Sequence, residues 1–98
     1  MRRLLTLETV LDRHFTLNPQ VALRPEPFGA LAYHYGNRKL IFLKHPDVVR
    51  VVQALDGHDT LADTLRACEI DEARWPSFER ALSSLNESDM LVESDMLV

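Results

Sequence analysis

Ninety-eight residues carrying 11 Lys and Arg against 15 Asp and Glu give a formal charge of −4, with 46 % apolar and 27 % charged side chains. That composition fits one small globular domain burying roughly 60–70 % of its unfolded surface, and it excludes a disordered chain. The acidic excess, concentrated after Asp56, opposes phosphate backbones, and a lone cysteine, Cys68, leaves no internal disulfide framework and points to a reducing compartment.

The chain opens MRRLLTLETVLDR. Glu8 and Asp12 interrupt any apolar signal region and no small-residue cleavage site follows. No apolar run exceeds four residues, far short of a membrane span. A soluble cytoplasmic protein without membrane partners is therefore expected. Leu4, Leu7, Val10 and Leu11 give residues 1–16 an amphipathic pattern that suits either a short helix or a loose arm.

From Asn18 the signal sharpens. Pro19, Pro25 and Pro27 remove ladder donors, so a strand over about Val21–Arg24 belongs at a sheet edge. GALAYHYGNRKLIFLK then reads as a β-hairpin around a two-residue turn at Gly36-Asn37, glycine supplying the positive φ such turns demand. Counting from that turn pairs Tyr35 with Arg38, Tyr33 with Leu40 and Leu31 with Phe42 on one face. Ala32 with Ile41 and Ala30 with Leu43 share the other. The first face carries more apolar bulk and is the expected core face.

Three helices follow. Pro46 suits a first helical position, and Asp56-Gly57 ends that segment. Thr60-Leu-Ala-Asp63 is a capping-box-like start for the second, with Asp in place of Glu. Asp71–Arg74 is a lead-in turn to a third helix opening near Pro76 and burying Phe78, Leu82 and Leu85, with Trp75 anchoring its entrance. The chain closes on ESDMLV given twice. The first copy can end the fold as a strand or turn, whereas the second reads as a duplication left disordered. Three strands followed by three helices predict a winged-helix-like α+β domain.

No catalytic signature is present. His14, His34, His45 and His58 show no helical spacing to one another or to Cys68, and Cys68 reads as a small buried hydrophobe. Nucleophile-elbow, zinc-protease, P-loop and dinucleotide fingerprints are missing, so the chain is expected not to be an enzyme and to bind no cofactor or metal. A small winged-helix transcription regulator is the rival class. Its recognition helix would carry Arg80 alone against Glu79, Glu87 and Asp89, a poor match to DNA.

The informative feature is the last strand of the hairpin. An uncovered edge is an aggregation liability unless charged, covered or used. Lys39 and Lys44 bracket it as gatekeepers would, or it docks an extended peptide by β-augmentation. The two-residue turn predicts that Lys39, Ile41 and Leu43 point their backbone groups outward. Three to five ladder bonds at about 0.5–1.5 kcal/mol roughly cancel the 2–5 kcal/mol cost of ordering a peptide, so side-chain pockets must supply the rest. A groove between this strand and the third helix offers Ile41 and Leu43 or Phe42 facing Phe78, Ala81 and Leu85. Arg74 and Lys39 stand at its ends for acidic peptide residues.

LNPQVALRPEPFGALAYHYGNRKLIFLKHPDVV, followed by a helix ending Leu55-Asp56-Gly57 and the TLADTL helix, resembles the MftB family of mycofactocin biosynthesis chaperones, relatives of the PqqD-type peptide-recognition domains. The similarity covers about Leu17 to Val92, and RPEPFGALAYHYGNRKL is its most specific part. It implies a recognition domain over 17–92; it does not reach residues 1–16, expected to be an arm, or 93–98, expected to be a tail. It further implies a three-stranded sheet on three helices that captures a precursor peptide beside the third strand, Lys39–Lys44 including Leu40, and presents it to a radical S-adenosylmethionine maturase acting on the peptide's C-terminal Val-Tyr. The iron–sulfur cluster and S-adenosylmethionine belong to that partner. Oligomeric state is left open, since an unpaired edge invites self-association.

Overall fold

Each helix begins where the sequence carries a breaker or a cap. In a computed structural model that describes residues 10–94, Pro46 occupies the first turn of α1 (Pro46–Ala54), and Thr60 Oγ1 accepts from the Asp63 backbone N–H at 3.1 Å to start α2 (Leu61–Ala67). Only half of the capping box forms, because the Asp63 carboxylate pairs with Arg66 at 3.0 Å instead. A 3₁₀ turn over Glu72–Arg74 leads into α3 (Trp75–Glu87), and the Trp75 indole N–H donates to the Ile70 carbonyl at 2.9 Å.

α2 and α3 both stop in Schellman motifs, whose two closing hydrogen bonds satisfy the last carbonyls. Glu69 (φ 60°) and Asp89 (φ 64°) take the left-handed position, Ile70 N–H reaches the Leu65 carbonyl at 3.0 Å, and Met90 N–H reaches that of Leu85 at 2.9 Å. The first ESDMLV copy is thus the stop signal of α3: Asp89 turns the chain, Met90 is buried, and Leu91 opens the last strand.

The strands are β1 (His14–Leu17), β2 (Val21–Glu26), β3 (Gly29–His34), β4 (Leu40–Leu43) and β5 (Leu91–Ser94). β2, β3 and β4 form a three-stranded antiparallel sheet, and β1 pairs antiparallel with β5 in a second, two-stranded one. This is the expected α+β architecture with two strands added. β1 crosses the boundary drawn at residues 16 and 17, and Phe15 within it is only 2 % exposed. Glu93 and Ser94, the start of the second ESDMLV copy, pair with Phe15 and His14. Residues 95–98, like 1–9, lie outside the described residues.

The register of the β3–β4 hairpin is the expected one, Tyr33 opposite Leu40 and Leu31 opposite Phe42. Its loop is not. Four residues, Tyr35–Arg38, connect the strands: Arg38 N–H donates to the His34 carbonyl at 2.8 Å, and Arg38, not Gly36, takes the positive φ of 67°. No Tyr35–Arg38 pair exists, because the buried His34 ring organises the loop. Its Nδ1 accepts from the backbone N–H groups of Gly36 (2.9 Å) and Asn37 (3.0 Å).

The core face is also the opposite of the expected one. Ala30, Ala32 and Leu43 are buried, whereas Leu40 and Phe42 are exposed. The physical reason is approach distance: α1 lies against β3 and β4, and two alanines give a helix room where Leu31 and Tyr33 would hold it off. Beneath α1 the core continues through Val51, Val52, Leu55, Leu61, Leu65, Phe78, Leu82 and Leu85. Burial of each large side chain among them contributes about 1.5–3 kcal/mol. Cys68 is half-buried at the end of α2, its Sγ 3.9 Å from the Arg50 carbonyl oxygen.

Candidate functional site

The sheet has two edges, and they differ in what they offer. Tyr35 N–H donates to the Gln20 carbonyl at 2.8 Å while His34 N–H donates to that of Lys39 at 2.9 Å. Odd residues of β3 therefore address β2 and even residues address β4. Since hydrogen-bonded and non-bonded pairs alternate, Lys39, Ile41 and Leu43 face inward to β3, and Leu40 and Phe42 turn their N–H and C=O groups to the outside. This reverses the expected phase. A four-residue loop keeps the same partners as a two-residue one but moves the bonded pair by one residue.

On the other edge the outward residues of β2 are Val21, Leu23 and Pro25. Val21 N–H is already taken by the Asn18 carbonyl at 2.8 Å, and Pro25 has no N–H at all, a common way to blunt an edge. β4 pairs with β3 alone among the described residues, so it is the open edge.

A cleft runs beside it. Phe42, Leu43 and Lys44 from β4, His45 and Val48 from the start of α1, and Ala81 from α3 line a depression of ≈ 250 Å³. It continues past His45, Val48 and Ala81 to Arg74, Ser77 and Phe78, in a further ≈ 300 Å³. The walls are largely apolar, with cations at the ends.

Of the residues expected here, Phe42, Leu43, Lys44, Arg74, Phe78 and Ala81 converge on the cleft. Leu85 does not: it lines neither depression and lies wholly in the core, further along the buried stripe of α3. Ile41 is half-buried and packs on the core, and Lys39 and Leu40 sit at the hairpin end of the strand. His45, Val48 and Ser77 line the cleft without having been expected there. Val48 was legible only as part of the apolar stripe of α1, and nothing in the sequence marks Ser77.

Asp47 organises one wall. Its carboxylate accepts from Arg50 Nη2 and from Arg74 Nη1, each at 2.9 Å, tying α3 to the first turn of α1. The Arg74 guanidinium lies 5.2 Å from the centre of the Phe78 ring. The hydrogen bond from Arg50, then that from Arg74, hold the Asp47 carboxyl below its ordinary value of 3.8. A depressed folded-state value stabilises the protein above 3.8 and loses that stabilisation as pH falls through the lower folded value. The stability gap between the parent and Asp47→Asn, measured by urea titration, is accordingly expected to be full at about pH 6 and to close as pH falls through the lowered folded-state value.

Among the described residues no three His, Cys, Asp or Glu side chains gather as a metal site would require, and no helix is long and apolar enough to cross a membrane. Residues 14–92 match the family model described as the Peptide chaperone MftB family. The chain is 47 % identical over 81 residues to the peptide chaperone MftB of Mycobacterium tuberculosis (83 % of this chain, 74 % of the relative). Against that of Mycobacterium ulcerans it is 45 % identical over 84 residues (86 % and 77 %), and against that of Mycolicibacterium smegmatis 46 % over 81 residues (83 % and 79 %). No solved structure matches the chain. With its strands β1 to β5 and all three helices inside or overlapping the matched span, the chain belongs to the peptide chaperone MftB family.

Proposed function

We propose that the protein binds the mycofactocin precursor peptide as an added strand along β4 and presents it, in the cytoplasm, to a radical S-adenosylmethionine maturase. Membership of a peptide chaperone family makes it a chaperone and not an enzyme. The observation that carries the reading is the open edge at Leu40 and Phe42 adjoining an apolar cleft. The two outward residues bring one donor and one acceptor each, at about 0.5–1.5 kcal/mol net per bond. Ordering the peptide costs about 2–5 kcal/mol, and micromolar affinity needs about 8 kcal/mol. The cleft, where Phe42, Val48 and Ala81 show apolar surface above the buried Leu43 and Phe78, must therefore supply most of the affinity through apolar side chains of the guest. Chemistry on the peptide, with its iron–sulfur cluster and S-adenosylmethionine, lies with the maturase. The DNA-binding alternative finds no support on α3, whose outer surface sets Glu79 and Glu87 beside Arg80.

An amide-shift titration of labelled protein with precursor peptide tests this. Changes are expected along Leu40–His45 and at Ser77 and Ala81, with the Leu40 and Phe42 amides newly protected from solvent exchange. Shifts confined to β2 or α2 would remove β4 as the docking strand.

A further inference from the structure

Successive side chains of a strand point to opposite faces, so a guest paired with Leu40 and Phe42 meets more than the cleft. The guest residue opposite Phe42 shares its face, which is the outer face of the sheet, and its neighbours turn toward the cleft. That outer face is furnished. The Phe28 ring, from the β2–β3 turn, stands 5.1 Å from the Phe42 ring at 73°, edge to face, yet Phe28 remains 55 % exposed. Gly29 permits this: at φ +156°, a Cβ there would collide with the Leu43 carbonyl oxygen, so the turn lies directly beside the end of β4.

Cations stand at both ends of β4, Lys39 on the face of Ile41 and Lys44 beside the cleft. Arg38 and Lys39 at one end of β4 and Lys44 at the other are exposed, and none has an ion pair among the described residues. Residues 20–45 hold Arg24, Arg38, Lys39 and Lys44 against Glu26 alone, in a chain whose formal charge is −4.

Resting on the strand-addition reading above, we propose that the Phe28–Phe42 ledge is a second recognition surface, which receives an apolar side chain of a guest whose carboxylates pair with Arg38 or Lys39 at one end of β4 and with Lys44 at the other. The occupant is thus an extended, carboxylate-bearing peptide read on both faces of the edge. A second copy of the chain fits poorly. In the two-fold antiparallel pairing that sets Leu40 against Phe42 of the other copy, Arg38 comes opposite Lys44, and like charges across strands repel.

The test measures binding of fluorescent precursor peptide to the parent, Phe28→Ala, Lys39→Gln/Lys44→Gln and Leu40→Pro. Phe28→Ala is expected to weaken binding about tenfold, the scale of one lost aromatic contact, with a near-parental melt because Phe28 lies outside the core. The double lysine variant should show a flatter salt dependence of affinity. A complementary measurement leaves the protein untouched: precursor with its Asp and Glu replaced by Asn and Gln should bind more weakly to the parent. Phe28→Ala within twofold of the parent, together with an unchanged salt slope and equal affinity for the neutralised peptide, overturns the second surface while Leu40→Pro still weakens binding. If Leu40→Pro binds like the parent, the strand-addition reading itself fails. A dimer in sedimentation that Leu40→Pro disperses would make a second copy the occupant and overturn the proposal.

Discussion

Leu40→Pro is expected to reduce precursor-peptide affinity by about 10- to 100-fold and to leave the fold intact, whereas Ile41→Pro, one residue on, should damage the fold. Proline removes one N–H and adds a ring at that position. At Leu40 the lost donor faces outward, where only the guest would use it, and proline is tolerated on edge strands. At Ile41 the N–H faces Ala32, its partner in β3, and losing a ladder bond in a buried setting costs about 1–3 kcal/mol. Anisotropy titrations with precursor peptide and urea melts of both variants separate the outcomes. If Ile41→Pro is the stable, binding-deficient protein and Leu40→Pro the unstable one, the outward phase deduced from His34 and Lys39 is wrong.

That contrast turns on a detail the sequence could not reveal. Two-residue and four-residue loops give identical Cα partners for β3 and β4, so the pairing of Tyr33 with Leu40 was legible while the direction of the hydrogen bonds was not. What selects the longer loop is the His34 ring accepting from Gly36 and Asn37, a contact that leaves no signature in hydrophobic pattern. Helix starts were legible because Pro46, Thr60 and Pro76 act locally. The core face is not the bulkier one, because apolar bulk is not burial. Leu31, Tyr33 and Phe42 outweigh Ala30 and Ala32, yet the alanines face α1 because they let it close in. For the candidate site, helical spacing puts Phe78 and Ala81 on the side of α3 that meets the cleft but carries on to Leu85, which lies beyond the cleft in the core. Arg74 was visible as a cation at the groove's end, but its tether to Asp47 depends on how α1 meets α3, which is a tertiary fact.

Phe15→Ala is expected to cost about 3–5 kcal/mol, a large part of the 5–15 kcal/mol that holds a typical domain folded. Residues 13–17, RHFTL, carry no turn or breaker signal, and β1 finds its partner only at Leu91–Ser94, at the far end of the described chain. Short strands paired over such separations are invisible to local pattern, which is why this segment reads as part of an arm. The structure makes it a closure. Phe15 is 2 % exposed in the main core, Leu91 opposite Leu17 is equally buried, and the Arg13 carbonyl accepts from the Leu61 N–H at 3.0 Å at the head of α2. Removing the Phe15 ring opens a cavity where both chain ends meet the helices. At roughly 4–8 °C per kcal/mol for a domain of this size, the melting temperature should fall by more than about 12 °C. Leu40→Ala, at a side chain 60 % exposed, should stay within about 0.5 kcal/mol of the parent. Thermal melts followed by circular dichroism compare the two directly. If Phe15→Ala melts within a few degrees of the parent, β1 is a dispensable arm, and the closure that holds the β4–α3 cleft in shape must come from the sheet and helices alone.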